Sequence, residues 1–234
     1  MRFFRWCVLT FLKRKENAQM NPKTRRLTES ALLIALGTVL ALLTNYLPFL
    51  NLPYGGSITI FSMVPLIILA FRYGIRWGFF SGIVFGVLQM AIGATTGVFA
   101  GAELYVVVFS ILLDYLAAYA VIGLAPMFKN RISNPFLAVG VGTFVVCLLR
   151  YVVHVLSGAI LFGSYAEWYF TEGGFPTDMG ASILSSFSGT ALSWVYSVIY
   201  NAMYMVPETI ITVVGAVLIM AVPAIRNKAF DKAV

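Results

Sequence analysis

Charge is scarce in this chain: 11% of its 234 residues are Asp, Glu, Lys or Arg, against 60% hydrophobic. A water-soluble domain of that length needs far more polar surface, so a soluble globular fold is excluded. Histidine occurs once, which leaves a metal site or a histidine relay without a second member. Only two cysteines are present, Cys7 and Cys147, one in a basic leader and one in an apolar run, and neither has metal-ligand spacing. Redox chemistry and structural zinc are therefore excluded. The chain also lacks a GxxxxGK(S/T) phosphate loop, an HExxH motif and a GxSxG motif. With no nucleophile–base–orienter set, the reading is that the chain is not an enzyme and needs no cofactor. Any energy source must come through a partner or an ion gradient.

What is present is apolar length. The mean hydropathy is +0.90, and six stretches can each supply much of the roughly 20 residues that a helix needs to span the hydrocarbon. They fall near Glu29–Phe49, Ser57–Arg72, Trp77–Ala94, Leu104–Phe128, Pro135–Phe162 and Ala191–Ile225, the second short and the last long enough to break at Pro207. The expected fold is an all-α integral membrane protein, a six-transmembrane-helix bundle occupying residues 28–226. A basic segment, 1–27, precedes it and a short tail, 227–234, follows.

Every Lys and Arg except Arg150 falls on one side of this layout: before the first span, around Arg72 and Arg76, around Lys129 and Arg131, and after the last span. The opposite loops carry Glu103, Glu167, Glu172 and Asp178 and no base. That asymmetry predicts both termini in the cytoplasm. It also accounts for the net charge of +7 without nucleic acid.

Residues 1–19 read as a signal peptide, an interfacial amphipathic helix or a start placed too early, and the last is preferred because Met20 opens an orderly lead-in. The first span carries Ala31, Ala35, Gly37 and Ala41, small residues in two pairs spaced by four. Such strips let helices approach closely, either inside one bundle or against a partner subunit. The outer loop Asn51–Ser57 is a connector or a lid. The stretch Gly163–Thr190, with Tyr165, Trp168, Tyr169 and Phe175, is long for a loop and is expected to form a cover or to supply interface anchors.

Four polar side chains break the apolar runs: Asp114, Arg150, His154 and Asn201. Polar groups in a membrane interior are expensive and mark where something polar is handled. At 1.5 Å rise per residue, Asp114 and Asn201 lie about 15 Å below the outer edge and His154 about 12 Å. Three helices thus bring polar groups to one layer. Tyr196, Tyr200 and Tyr204 recur every fourth residue beside Asn201 and form one face. Asp114 either pairs with Arg150 as an internal ion pair or is kept for a cationic ligand, with aromatic rings adding cation–π attraction.

Several strings carry a family resemblance. They are LLDYLAAY from Leu112 to Tyr119, LRYVVHVLSG from Leu149 to Gly158, FGSY from Phe162, and YSVIYNAMYMVPE from Tyr196 to Glu208. PYGGS from Pro53, MVP from Met63 and FRYG from Phe71 join them in order. Together they resemble the ThiT-type thiamine-binding S-components of energy-coupling factor (ECF) transporters, over roughly Leu27 to Pro223. The resemblance implies a six-helix vitamin-binding subunit whose ligand, thiamine, is held by Asp114, Tyr115, His154, Tyr196 and Asn201. It further implies docking through Ala31, Ala35, Gly37 and Ala41 on a transmembrane coupling subunit (T), driven by two ATPase subunits in a bacterial cell membrane. Where some relatives have tryptophans, this chain has Phe162 and Gly55–Gly56, so Phe162 is the expected stacking ring, with Trp194 or Trp168 as replacements. Because those positions differ, an S-component for another vitamin or for a thiamine precursor is the alternative reading.

Overall fold

The computed structural model describes residues 21–52 and 56–230. The leader 1–19, Cys7, the loop tip 53–55 and the tail 231–234 lie outside the described residues, and with them the expectations placed there. The described residues divide into two units, Asn21–Leu32 and Leu33–Phe230. In the first unit, Arg25 Nε meets Glu29 Oε1 at 3.0 Å, an exposed i, i+4 pair on the helix surface.

The elements are helices: α1 Pro22–Asn45, α2 Val64–Tyr73, α3 Ile75–Thr95, α4 Leu104–Phe128, α5 Pro135–Leu161, α6 Ala166–Thr171, α7 Thr177–Ser186, α8 Gly189–Ile219 and α9 Pro223–Phe230. Among the described residues the only β pairing is the isolated bridge Asn51–Ser57. Five helices, α1, α3, α4, α5 and α8, are long and apolar enough to cross a membrane. Their outward faces carry Leu36, Phe80, Leu104, Ile160, Ile210 and Leu218, all more than 48% exposed. Large apolar side chains pointing away from the body are what a lipid solvent selects.

The expected second span is a partial one. α2 has 10 residues, about 15 Å of helix, half of what hydrocarbon requires. The backbone from Ser57 to Met63 is irregular, and Ser57 and Thr59 line the cavity described below. Non-helical backbone at membrane depth is tolerated where it lines a polar hollow, which explains why the helix starts late. Gly74, at φ 85°, makes the sharp turn from α2 into α3.

Two expectations are corrected. Pro207 does not break the last span: α8 runs unbroken from Gly189 to Ile219, and the chain turns only before Pro223. In a membrane bundle, neighbouring groups re-satisfy the backbone that proline frees. The stretch Gly163–Thr190 is not an open loop either. It holds α6 and α7, and Ala166, Tyr169 and Phe170 are buried with Leu192, Tyr196 and Tyr200 of α8. Its aromatic residues build a small core of their own, capped onto one end of the bundle.

α3 and α4 pack backbone to backbone. Gly78, Gly82 and Gly86 form a strip at intervals of four, and a Cβ on Gly82 or Gly86 would strike the carbonyl oxygens of Tyr119 or Tyr115. Gly82→Ala is therefore expected to lower the melting midpoint of the detergent-purified protein. Overpacking against a fixed backbone costs about 1–3 kcal/mol, more than the ~1 kcal/mol gained in helix propensity. An unchanged midpoint would mean the helices are not in contact there.

The small residues of α1 divide into two sets. Gly37 and Ala41 are buried, and a Cβ on Gly37 would lie 2.7 Å from the Ser62 carbonyl oxygen. They serve packing inside the body, which corrects their assignment to partner docking. Ala35 is exposed.

Candidate functional site

α4 changes its winding partway along. An α-helical turn Leu104–Ser110 gives way to a π-helical segment Ile111–Ala117, and a 3-10 stretch Val121–Phe128 ends it. π segments widen the helix locally and are frequent at functional sites. Asp114 sits in the middle of this one.

The Asp114 carboxylate is held by three side chains. His154 Nδ1 lies 2.9 Å from Oδ1, while Ser110 Oγ and Ser157 Oγ donate to Oδ2 at 2.8 and 2.6 Å. His154 and Ser157 are three apart on α5, so one face of that helix supplies both. With His154 as the neutral Nδ1–H tautomer, the cluster keeps one net negative charge.

Arg150 is engaged elsewhere. Its Nη1 lies 3.2 Å from Glu208 Oε1, and its Nη2 donates to the Tyr119 hydroxyl at 3.2 Å. The guanidinium also stacks 4.6 Å from the centroid of the Tyr119 ring. Thr59 Oγ1 donates to the same Glu208 oxygen. Arg150 and Glu208 side chains are 6% and 0% exposed, so each is the other's counter-charge in a dry setting. Of the two roles open to Asp114, the internal ion pair with Arg150 is not made.

A cavity of about 690 Å³ opens above these groups. Asp114, Tyr115, His154, Phe162, Tyr196 and Asn201 line it, together with Tyr119, Arg150, Gly158, Tyr200 and Tyr204. Six of the seven expected binding residues therefore come together at one hollow. The seventh, Trp194, does not line it: the side chain is 40% exposed on the outside of α8. On a helix, position 194 is two residues from Tyr196 and points to another face. Trp168 is packed among the outer rings and does not line the cavity. The cavity rings are phenyl and phenol: Tyr115, Tyr119, Phe162, Tyr165, Tyr196, Tyr200 and Tyr204.

Asn201 lies at the cavity, but its amide is occupied by the protein. Nδ2 donates to the Ser197 carbonyl at 2.8 Å and to the His154 carbonyl at 3.3 Å, and Tyr204 OH donates to Oδ1 at 2.6 Å. It clips α8 to the turn of α5 that carries His154. Gly158 makes this approach feasible, because a Cβ there would meet Ser197 Oγ and Asn201 Nδ2. In the outer cluster, Tyr169 OH donates to Met203 Sδ at 2.7 Å, and burial pushes its phenol up, keeping it a neutral donor.

Of the outer loop Asn51–Ser57, read as a connector or a lid, the two ends are described. Leu52 and Gly56 line the cavity, and Gly56 N donates to the Tyr200 hydroxyl at 3.1 Å. The segment Thr96–Ala102 contributes the opposite rim through Thr96, Val98 and Ala100. Four polar residues that the sequence reading passed over belong to this region. Ser110 and Ser157 stand one turn from Asp114 and His154, and Gln89 and Glu208 are an amide and an acid inside apolar spans. The membrane-cost argument that singled out Asp114 applied equally to the last two. A second hollow, of about 560 Å³, lies beside Arg72, Arg76 and Lys129 and contains no acidic residue.

The model of the family described as thiamine transporter protein (Thia_YuaJ) matches residues 27–169, more than half of the chain. The protein described as thiamine transporter ThiT of Bacillus subtilis is 33% identical over 218 residues, covering 89% of this chain and 96% of its own length. The solved structure of ThiT from Listeria monocytogenes is 18% identical and superposes with a TM-score of 0.58, covering 88% of this chain and 98% of that one. The structure thus shares its fold with that protein. By the family model and by the Bacillus relative, the chain belongs to the thiamine transporter protein family.

Proposed function

We propose that this chain is the substrate-binding (S) component of an ECF-type transporter, a multi-pass membrane protein that captures thiamine at the outer face and delivers it inward. One observation carries the reading: the Asp114 carboxylate has three hydrogen-bond donors, while the buried guanidinium of Arg150 is committed to Glu208. A carboxylate so placed attracts a cation, and the thiazolium ring of thiamine is one. Phe162, Tyr115 and Tyr196 offer ring faces to the same cation. The second ring nitrogen of His154, Nε2, is buried with no partner in the protein, ready for a polar group of the ligand.

The cavity rim is built from loops that carry no base, whereas the second hollow is flanked by Arg72, Arg76 and Lys129. By the positive-inside rule the cavity opens outward and both termini are cytoplasmic. Since the chain has no nucleotide site of its own, inward delivery rests on a T-subunit and two ATPase subunits. The exposed part of the small-residue strip, Ala31 and Ala35, is the docking contact proposed on α1. Ala35→Leu is expected to leave thiamine affinity unchanged and to abolish co-purification with the coupling subunit; an intact complex would remove Ala35 from that contact.

The direct test is calorimetric titration of the detergent-purified chain with thiamine, with competition by other vitamins. None of Trp77, Trp168 and Trp194 lines the cavity, which makes heat a better reporter than tryptophan emission. Saturable one-to-one binding is expected. A chain that ignores thiamine and binds another vitamin would overturn the reading.

A further inference from the structure

α3 meets α4 with a glycine-rich face: Gly82, Gly86 and Gly93 recur along it and lie against the backbone or phenol of Tyr119 and Tyr115, and its last turns, from Gln89 on, line the cavity. One long polar side chain interrupts the strip. Gln89 is 8% exposed, lines the cavity, and its Nε2 is buried with no hydrogen-bond partner. A carboxamide unpaired in a membrane interior costs free energy that nothing within the bundle returns. An unpaired amide facing a ligand cavity calls for a ligand group.

We propose that Gln89 reads the aminopyrimidine edge of the substrate and selects for it. The inference rests on the thiamine reading above and adds a contact to it. Asp114, ringed by donors, claims the positive end of the ligand. The orphaned Nε2–H of Gln89 needs the opposite, a neutral acceptor. An aminopyrimidine places a ring nitrogen acceptor directly beside an exocyclic amine donor. A carboxamide matches that pair with N–H to the ring nitrogen and C=O to the amine, the same two-point match by which Gln recognises adenine. The amide can turn end for end, so the pairing does not depend on which terminal atom is nitrogen. Two ends of one ligand are thereby distinguished: charge at α4 and hydrogen-bonding pattern at α3.

The test measures Gln89→Met, which keeps chain length and suits an apolar bundle, by calorimetry in the full-length protein. Gln89→Leu serves as a second variant should the first fail to purify as a single species. Two ligands are compared: thiamine, and the analogue whose ring nitrogen beside the amine is replaced by C–H. Thiamine is expected to bind about tenfold more weakly to the variant, the effect of losing a good hydrogen-bonded contact. The analogue should lose distinctly less than thiamine on the same substitution, because one of the two points is already absent. Equal thiamine affinity in wild type and variant would overturn the proposal, as would an equal loss for both ligands, which is the signature of a structural role. A wild-type protein that does not bind thiamine would instead overturn the function on which the proposal rests.

Discussion

Asp114→Asn is expected to weaken thiamine binding by about 10- to 150-fold, the range set by the ~1.5–3 kcal/mol of a charge-assisted contact. The amide is isosteric, so Ser110, Ser157 and His154 keep a neighbour of the same shape. What disappears is the negative charge, and with it the attraction for a cation. Because the side chain is 18% exposed, rather than sealed in the core, the folded state should tolerate the change. Titration of variant and wild type side by side, with circular dichroism confirming helix content, decides the matter. Affinities within twofold would remove Asp114 from the binding account.

A second large effect is expected at a residue that touches no ligand. Glu208→Gln deprives Arg150 of its counter-charge inside the bundle, where Met63 and Tyr119 offer only neutral partners. Breaking a buried ion pair from one side costs about 3–5 kcal/mol. The variant should therefore melt well below wild type and lose thiamine binding too, since a freed guanidinium has Asp114 as the acid lining the same cavity. Replacing both partners, Arg150→Met with Glu208→Leu, removes the uncompensated charge and should restore most of the melting midpoint. A single variant that melts with wild type would show that the pair is not what holds Arg150 away.

The transmembrane character, five of the six helices and the layer of polar groups were legible in the sequence because each rests on a long pattern. Apolar length, charge asymmetry and residue type survive boundary errors of several residues. Asp114, His154 and Asn201 line one cavity. What was not legible depended on partners far apart in sequence. Nothing local says that Arg150 turns to Glu208, 58 residues on, rather than to Asp114. Nor does anything local say that the short second helix begins at Val64 because residues before it line a cavity. Pro207 misled for the same reason: its cost is set by neighbouring helices, not by its own turn. The strip on α1 was ambiguous from the start: Gly37 went to internal packing because Leu66 of α2 and Phe85 of α3 lie against it, and Ala41 is buried as well. Gln89 and Glu208 were within reach, as polar letters in apolar spans, and were passed over.

The most direct test of the account is charge discrimination. Affinities of thiamine and of its uncharged analogue, with carbon in place of the thiazolium nitrogen, would be measured on wild type and on Asp114→Asn. Wild type is expected to favour the cation by at least about tenfold and the variant to lose most of that preference, keeping only what the aromatic rings supply. An equal preference for the cation in both proteins would contradict the account, and the anion at position 114 would then have another purpose.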